Sequence, residues 1–269
     1  MEDPRIVRID DLYYVTYTAY DGNNALGALA ISKDLKHFKK MGIITPQIHY
    51  KKFAICIESI VNLNEKHLRF YKIFKERVGI TRSDQLSVWD KDLVFFPRKL
   101  NGKFAFLHRL YPSIQIAYFK KVEDLTEDFW MEYLSNLKSH IVLESKYAFE
   151  AAYIGGGCPP IETDEGWLVI YHGVEDTPTG YIYHAAATLL DINDPMKEIG
   201  RLKEPLFSPD ETWEREGYVK NVVFPTGTVV SGDTLYIYYG AADSRIAVAS
   251  VSLAGLLNEI KRENNNNGS

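Results

Sequence analysis

The side chains that could do chemistry in this chain stand at the ends of short apolar runs. Glu2-Asp3-Pro4-Arg5 sets two carboxylates beside a proline and a guanidinium. By spacing alone, Asp3 reads as a turn carboxylate paired with Arg5, in a loop that leads into a strand. His108-Arg109 closes the run FAFLHR at 104–109. A planar guanidinium can grip an oxyanion through two N–H groups at once, and a buried arginine paired with a carboxylate would look the same in sequence. His172, in YHG, is a strand histidine among Tyr and Gly, a setting in which structural roles are commoner than ligand roles. Asp243, in GAAD, could accept two hydroxyl donors or simply end a turn before Ser244-Arg245. Tyr17, Tyr20, Tyr181 and Tyr239 lie where rings could stack on a flat ligand or fill a core. The seven histidines have no ligand-like spacing to one another or to a cysteine, so no metal site is expected.

These residues must be positioned by β-structure. Four stretches share one grammar. Pro4, Pro97, Pro160 and Pro225 each open a strand, a turn with Asp, Asn or Gly, an aromatic-rich strand, and then a strand of small and aliphatic residues. The clearest runs from Ile154 to Pro195, with strands expected at Trp167–His172 and Tyr181–Leu190 and a loop between them. Repeated small sheets in units of about 50 residues or more indicate a β-propeller, with a β-sandwich as the competing architecture. The first separation between anchors is the longest, and 47–92 accounts for the excess. There the spacing of Ile57, Ile60 and Val61, then of Leu68, Tyr71 and Phe74, predicts helices over Phe53–Asn62 and Glu65–Val78, with Asn64 capping the second. Lys66, Arg69, Lys72, Lys75 and Arg77 give that insertion a basic face, read as a solvated surface in preference to a lid or partner arm. A short helix is expected over Asp124–Leu137 and a last one over Val251–Lys261. The expected organisation is a single propeller domain over 1–262 and a disordered tail over 263–269.

Composition narrows the function classes. The chain has 269 residues, 46% of them hydrophobic, with 18 Tyr and 13 Phe, which suits a strand-rich domain with a sizeable core. A net charge of −5 without a basic block argues against nucleic acid. No run of 18 apolar residues is present and Met1-Glu2-Asp3 is no signal peptide, so no membrane association is expected. Cys56 and Cys158 read as reduced thiols of a cytoplasmic protein.

Four segments, in this order, resemble glycoside hydrolase family 130, the mannoside phosphorylases and related mannosidases. They are EDPRI (2–6), FAFLHR (104–109), IGGGCPPIETDEGWLVIYHGV (154–174) and NVVFPTGTVVSGDTLYIYYGAAD (221–243). The resemblance covers nearly the whole chain apart from 47–92. It implies an all-β, five-bladed propeller family fold, about four blades of which are visible here, plus the helical insertion. EDPR lies well inside a full-length member, so an upstream blade is also implied. The implied activity is cleavage of β-mannosides with inversion, by phosphorolysis or hydrolysis. The implied partner is an oligosaccharide, with inorganic phosphate as co-substrate and no cofactor, and the sequence leaves room for a homo-oligomer.

Such a reaction needs a proton for the leaving oxygen and a nucleophile on the opposite face of the sugar. The resemblance makes Asp3 the general acid, acting through the sugar's own 3-hydroxyl. It makes Arg109, His108 and His172 the phosphate side, and Arg5, Tyr17 and Asp243 sugar-binding residues. Two departures stand out. Tyr153 occupies the place of a lysine common in the phosphorylases, and Leu110 replaces the proline of HRP. Losing a cation weakens a phosphate site and favours water under a carboxylate base, for which Glu150, Glu162 and Glu175 are candidates. A non-catalytic glycan-binding propeller and an interaction scaffold using the insertion are the alternatives.

Overall fold

The structure is a computed structural model that describes residues 2–60, 63–78 and 86–265, with 73–78 and 265 described by their backbone alone. Val61 and Asn62, the side chains of Phe74, Lys75 and Arg77, and the tail residues 266–269 lie outside the described residues. The chain divides into two compact units, Met1–Ile141 and Val142–Ser269.

In the first unit, β1 (Glu2–Ile9), β2 (Leu12–Tyr20), β3 (Ala25–Ser32) and β4 (Phe38–Ile43) pair in chain order as an antiparallel meander. β1 shows the alternation of a half-buried strand: Arg5, Val7 and Ile9 are buried, while Ile6 and Arg8 face out. Glu2-Asp3-Pro4-Arg5 is therefore strand and not the entry loop that its composition suggested. The irregularity falls inside it, as a register shift between Glu2 and Arg5. The second sheet is β5 (Lys91–Phe95), β6 (Phe104–Arg109), β7 (Ile114–Phe119) and β8 (Ile141–Leu143), in that order.

Two helices separate the sheets, α1 (Tyr50–Glu58) and α2 (Glu65–Val78). α1 starts earlier than its periodicity indicated and buries Tyr50, Phe53, Cys56 and Ile57 on one face. Asn64 accepts the Lys66 N–H at 2.9 Å, as a capping residue should. α3 (Glu127–Ser135) is shorter than the expected 124–137, which ends in 3-10 turns on both sides, and is capped by Thr126 accepting the Phe129 N–H. The core joins both sheets and the helices through Leu29, Phe53, Phe95, Phe106, Trp130 and Leu134.

The second unit holds the other two sheets. β9 (Tyr153–Gly156) and β10 (Ile161–Thr163) both lie along β11 (Gly166–Thr177), which pairs with β12 (Gly180–Leu190) and through it with β13 (Glu198–Arg201). Between β9 and β10, the Gly157 and Cys158 N–H groups both donate to the Ile170 carbonyl, at 3.2 and 3.0 Å. The stretch 173–177, expected to be loop, continues β11 as a long hairpin arm. β14 (Val223–Ser231), β15 (Thr234–Ala241) and β16 (Arg245–Ser252) form the last meander. α4 (Thr212–Arg215) is one turn. α5 (Leu253–Asn265) packs Leu256, Leu257 and Ile260 against Leu168, Ile170 and Leu189, and it extends past residue 263, where the tail was expected to begin. Four antiparallel meanders in chain order are the four units read from the sequence, and the class is all-β with a helical insertion. Each meander has the form of a propeller blade.

Two predictions come from this packing. A Cβ on Gly157 would stand 2.7 Å from the Ile170 carbonyl oxygen. Gly157→Ala should therefore cost about 1–3 kcal/mol in urea unfolding, and an unchanged midpoint would contradict the close approach. Burial, aided by the charge of Lys66 and of His108 respectively, holds His67 and His140 down to about 4 from 6.5. The unfolded chain, with ordinary histidines, binds more protons as pH falls from 6.5 towards 4, so stability should fall across that window. A urea midpoint independent of pH over the same range would refute it.

Candidate active site

The site in the first unit is built where β1, β5 and β6 meet. In the β1 bulge Asp3 takes a left-handed conformation, φ +51°. Such a kink re-aims a side chain that regular pleating would direct elsewhere. β5 repeats the device: its register shifts between Lys91 and Val94, and Asp92 lies at φ +58°. As a result, three consecutive side chains at 90–92 reach three different partners. Asp90 accepts or shares a proton with His108 Nδ1 at 2.7 Å. Lys91 brings Nζ to 3.8 Å from Asp3 Oδ2 and 3.6 Å from Glu2 Oε2. Asp92 holds Arg109 Nη1 at 2.9 Å, with both side chains almost wholly buried.

Lys91 also pairs with Arg109 across β5 and β6. The carboxylate of Asp3 and the strand end that carries the Arg109 guanidinium are thus brought together around one lysine. Arg109 is further fixed by Tyr111: Nη2 donates to the hydroxyl at 2.6 Å, and the guanidinium carbon lies 4.1 Å from the ring centroid. Phe70 of α2 stacks on the other partner of that contact, 5.0 Å from the Tyr111 centroid and 11° from parallel. The inserted helices are therefore more than a solvated surface. Arg69 and Lys72 are exposed as the basic face predicts, while the opposite side of α2 buttresses the residue that holds Arg109.

His108 is fully buried. Tyr133 donates its proton to the Ile116 carbonyl at 2.9 Å, so the phenol oxygen accepts from His108 Nε2 at 2.8 Å. Both ring nitrogens are taken up by protein groups, Asp90 on one side and Tyr133 on the other. Arg5 is buried and donates to the Pro4 carbonyl at 3.2 Å. Tyr17 is half-buried on β2, between Thr16 and Thr18, whose partners Arg5 and Glu2 flank the bulge.

The remaining expected residues belong to the second unit. His172 is fully buried, its ring 4.6 Å from Phe224 and 6.1 Å from Tyr183. Asp243 is exposed in the turn between β15 and β16, with φ +51°. Of the three carboxylates considered as bases, Glu150 is fully buried and accepts from Lys146 N, Tyr147 N, the Tyr171 hydroxyl and Arg201. Glu162 is exposed on β10. Glu175 meets His184 Nε2 at 3.3 Å, and His184 Nδ1 meets Ser208 at 2.8 Å. Burial lowers the pKa of His184 and Glu175 partly offsets that. Among the described residues no group of three or more His, Cys, Asp and Glu could hold a metal ion.

A family model described as beta-1,4-mannooligosaccharide phosphorylase matches residues 1–262. The chain belongs to glycoside hydrolase family 130. Its similarity to individual members is substantial. It is 36% identical over 253 residues to the 1,2-beta-oligomannan phosphorylase of Thermoanaerobacter sp. (strain X514), covering 94% of this chain and 68% of that one. It is 31% identical to the beta-1,2-mannobiose phosphorylase of Listeria innocua serovar 6a, covering 97% and 76%. The solved Listeria innocua enzyme in complex with beta-1,2-mannobiose superposes with a TM-score of 0.69 at 28% identity, over 97% of this chain and 60% of that one. The chain thus spans about three-fifths to three-quarters of the length of these family 130 relatives.

Sequence reasoning missed Asp90, Lys91, Asp92, Tyr111 and Phe70. The signal for the first three was WDKDL, charges set directly before an apolar run, as in EDPRI. Removing Asp92 leaves the buried guanidinium of Arg109 without its close carboxylate. Asp92→Ala should cost about 3–5 kcal/mol in urea unfolding. A loss below about 1 kcal/mol, the scale of an exposed pair, would show that the pair is solvated.

Proposed function

We propose that this chain cleaves β-mannosides with inversion, using phosphate as the nucleophile and releasing mannose 1-phosphate. The observation that carries the reading is the Asp3 carboxylate 3.8 Å from Lys91 Nζ, with Lys91 the direct strand partner of Arg109. An acid and two cations are what single displacement by an anion requires. Asp3 supplies the proton that the glycosidic oxygen takes up as its bond to C1 breaks, passed through the sugar's 3-hydroxyl. A phosphate oxygen forms the new bond to C1 from the opposite face, and the cations offset its charge. Arg109 suits this because Asp92 and Tyr111 fix its plane before the anion arrives. Arg5, Tyr17 and Asp243 are proposed to bind the sugar, and His108 and His172 to belong with Arg109 to the phosphate side.

A second reading, hydrolysis, is favoured by one observation: Tyr153 is nearly buried, and its hydroxyl is hydrogen-bonded to that of Tyr183, so that position carries no charge for phosphate. The two cysteines, both buried and unbridged, support a reducing, cytoplasmic setting. No helix among the described residues is long and apolar enough to cross a membrane.

Incubation with β-1,2- and β-1,4-linked manno-oligosaccharides, with and without phosphate, separates the readings. Mannose 1-phosphate formed only with phosphate is the expected result, and free mannose irrespective of phosphate supports the second. Asp3→Asn should lower kcat by about 10²–10⁴-fold. Turnover unaffected by that change would remove Asp3 from the mechanism.

A further inference from the structure

Arg109 has two holders in the first unit, Asp92 and Tyr111, and the inserted helices bear on the segments that carry both. On α2, His67, Phe70 and Tyr71 are three and four residues apart and so share one side of the helix. Tyr71 anchors that side to α1: its ring meets Phe53 edge-on, with centroids 4.7 Å apart, and Phe53 is almost wholly buried. His67 is buried next to it, with ring centroids 6.4 Å apart. Phe70 is half-buried and lies nearly parallel to the Tyr111 ring, just beyond β6, at 5.0 Å. The same phenol accepts from Arg109 Nη2 at 2.6 Å and lies with its ring centroid 4.1 Å from the guanidinium carbon. α1 bears on the segment that leads to Asp92. The Val88 N–H donates to the Ile48 carbonyl at 2.9 Å, and the Trp89 N–H to the Tyr50 hydroxyl at 3.3 Å.

We propose that Phe70 is a positioning residue for phosphate: by stacking on Tyr111 it fixes the plane of Arg109, and so sets how tightly the anion is held. The proposal rests on the phosphorolytic reading above. A guanidinium grips an oxyanion through two N–H groups only in one orientation of its plane. Asp92 holds Nη1 and the Tyr111 hydroxyl holds Nη2, so the two contacts together define that plane. They differ in kind. Asp92 is a charged partner, almost wholly buried, on a strand. Tyr111 is a neutral side chain outside the strands, and its hydroxyl stays on Nη2 only while its ring is kept from turning. Phe70 supplies that restraint, and the Tyr71–Phe53 contact keeps Phe70 in place. Offset-stacked rings are a favoured arrangement in their own right, so the contact specifies an orientation as well as filling space.

The test is steady-state phosphorolysis by the whole chain, with phosphate and a β-mannobiose varied in turn. Phe70→Ala should raise KM for phosphate about three- to tenfold, with KM for the mannoside and kcat at saturating phosphate unchanged. A KM does not depend on how much of the chain is folded, so partial misfolding cannot imitate this result. Phe70→Tyr, which keeps a flat ring, should retain the parent's phosphate KM, and so should Lys72→Ala on the exposed side of the same helix. In a Tyr111→Ala background, Phe70→Ala should have no further effect, because the link to Arg109 is already cut. An unchanged phosphate KM in Phe70→Ala, equal rises in both KM values, or full additivity with Tyr111→Ala would overturn the role of Phe70 while leaving the phosphorolytic reading intact. A parent chain that forms no mannose 1-phosphate would overturn both.

Discussion

The charged segment at 90–92 is the constraint on which the first unit depends. Charges taken out of water must be paired, and here three adjacent residues are paired in three directions. Regular strand geometry could not do this, because alternate side chains would point to one face. The bulge at the start of β5, with Asp92 in a left-handed conformation, breaks that alternation. The matching bulge in β1 turns Asp3 towards Lys91. Two local irregularities, one in β1 and one in β5, thus set Asp3 beside Lys91 and Asp92 against Arg109. Buried pairs of this kind add little net stability compared with apolar packing. What they provide is a guanidinium held in one plane before any ligand arrives.

The support behind that corner is unusually layered. Tyr111 lies between Arg109 and Phe70, and His108 is locked between Asp90 and Tyr133. The inserted helices and α3 therefore both bear on β6, one through each of two neighbouring residues. A change in α2, far along the chain from the strand end, should be felt as a change in the freedom of Arg109. In the second unit the corresponding strand, β11, is interrupted on its partner side, where Gly157 and Cys158 share one carbonyl. The glycine-rich segment there serves close backbone approach, and Tyr153, just before it, shares a hydrogen bond with the Tyr183 hydroxyl.

Much of this was legible in the sequence. The four meanders follow from aromatic and aliphatic runs punctuated by Asp, Asn and Gly, and β6 coincides with the run FAFLHR at 104–109. Asp3 and Arg109 stood out by residue type. What was not legible depends on backbone irregularity and on contacts between distant segments. Pro4 and Pro225 mark the same feature, each the third residue or nearly so of a first strand with a register shift, but Pro97 and Pro160 fall outside strands, so the shared anchor concealed different geometry. Asp90, Lys91 and Asp92 looked like the solvated end of a helical insertion, because nothing local distinguishes a charge that will be buried from one that will not. The residues 173–177 looked like loop because Glu175, Asp176 and Thr177 are polar, yet Gly173 and Val174 are buried in the strand and the polar residues come only where it reaches the surface.

A crystal structure of the protein soaked with phosphate and a manno-oligosaccharide tests the central claim most directly. The account predicts phosphate oxygens within hydrogen-bonding distance of Arg109 and Lys91, with the Asp3 carboxyl on a sugar hydroxyl. Phosphate bound elsewhere, with Lys91 still against Asp3 and no sugar at that corner, would contradict it.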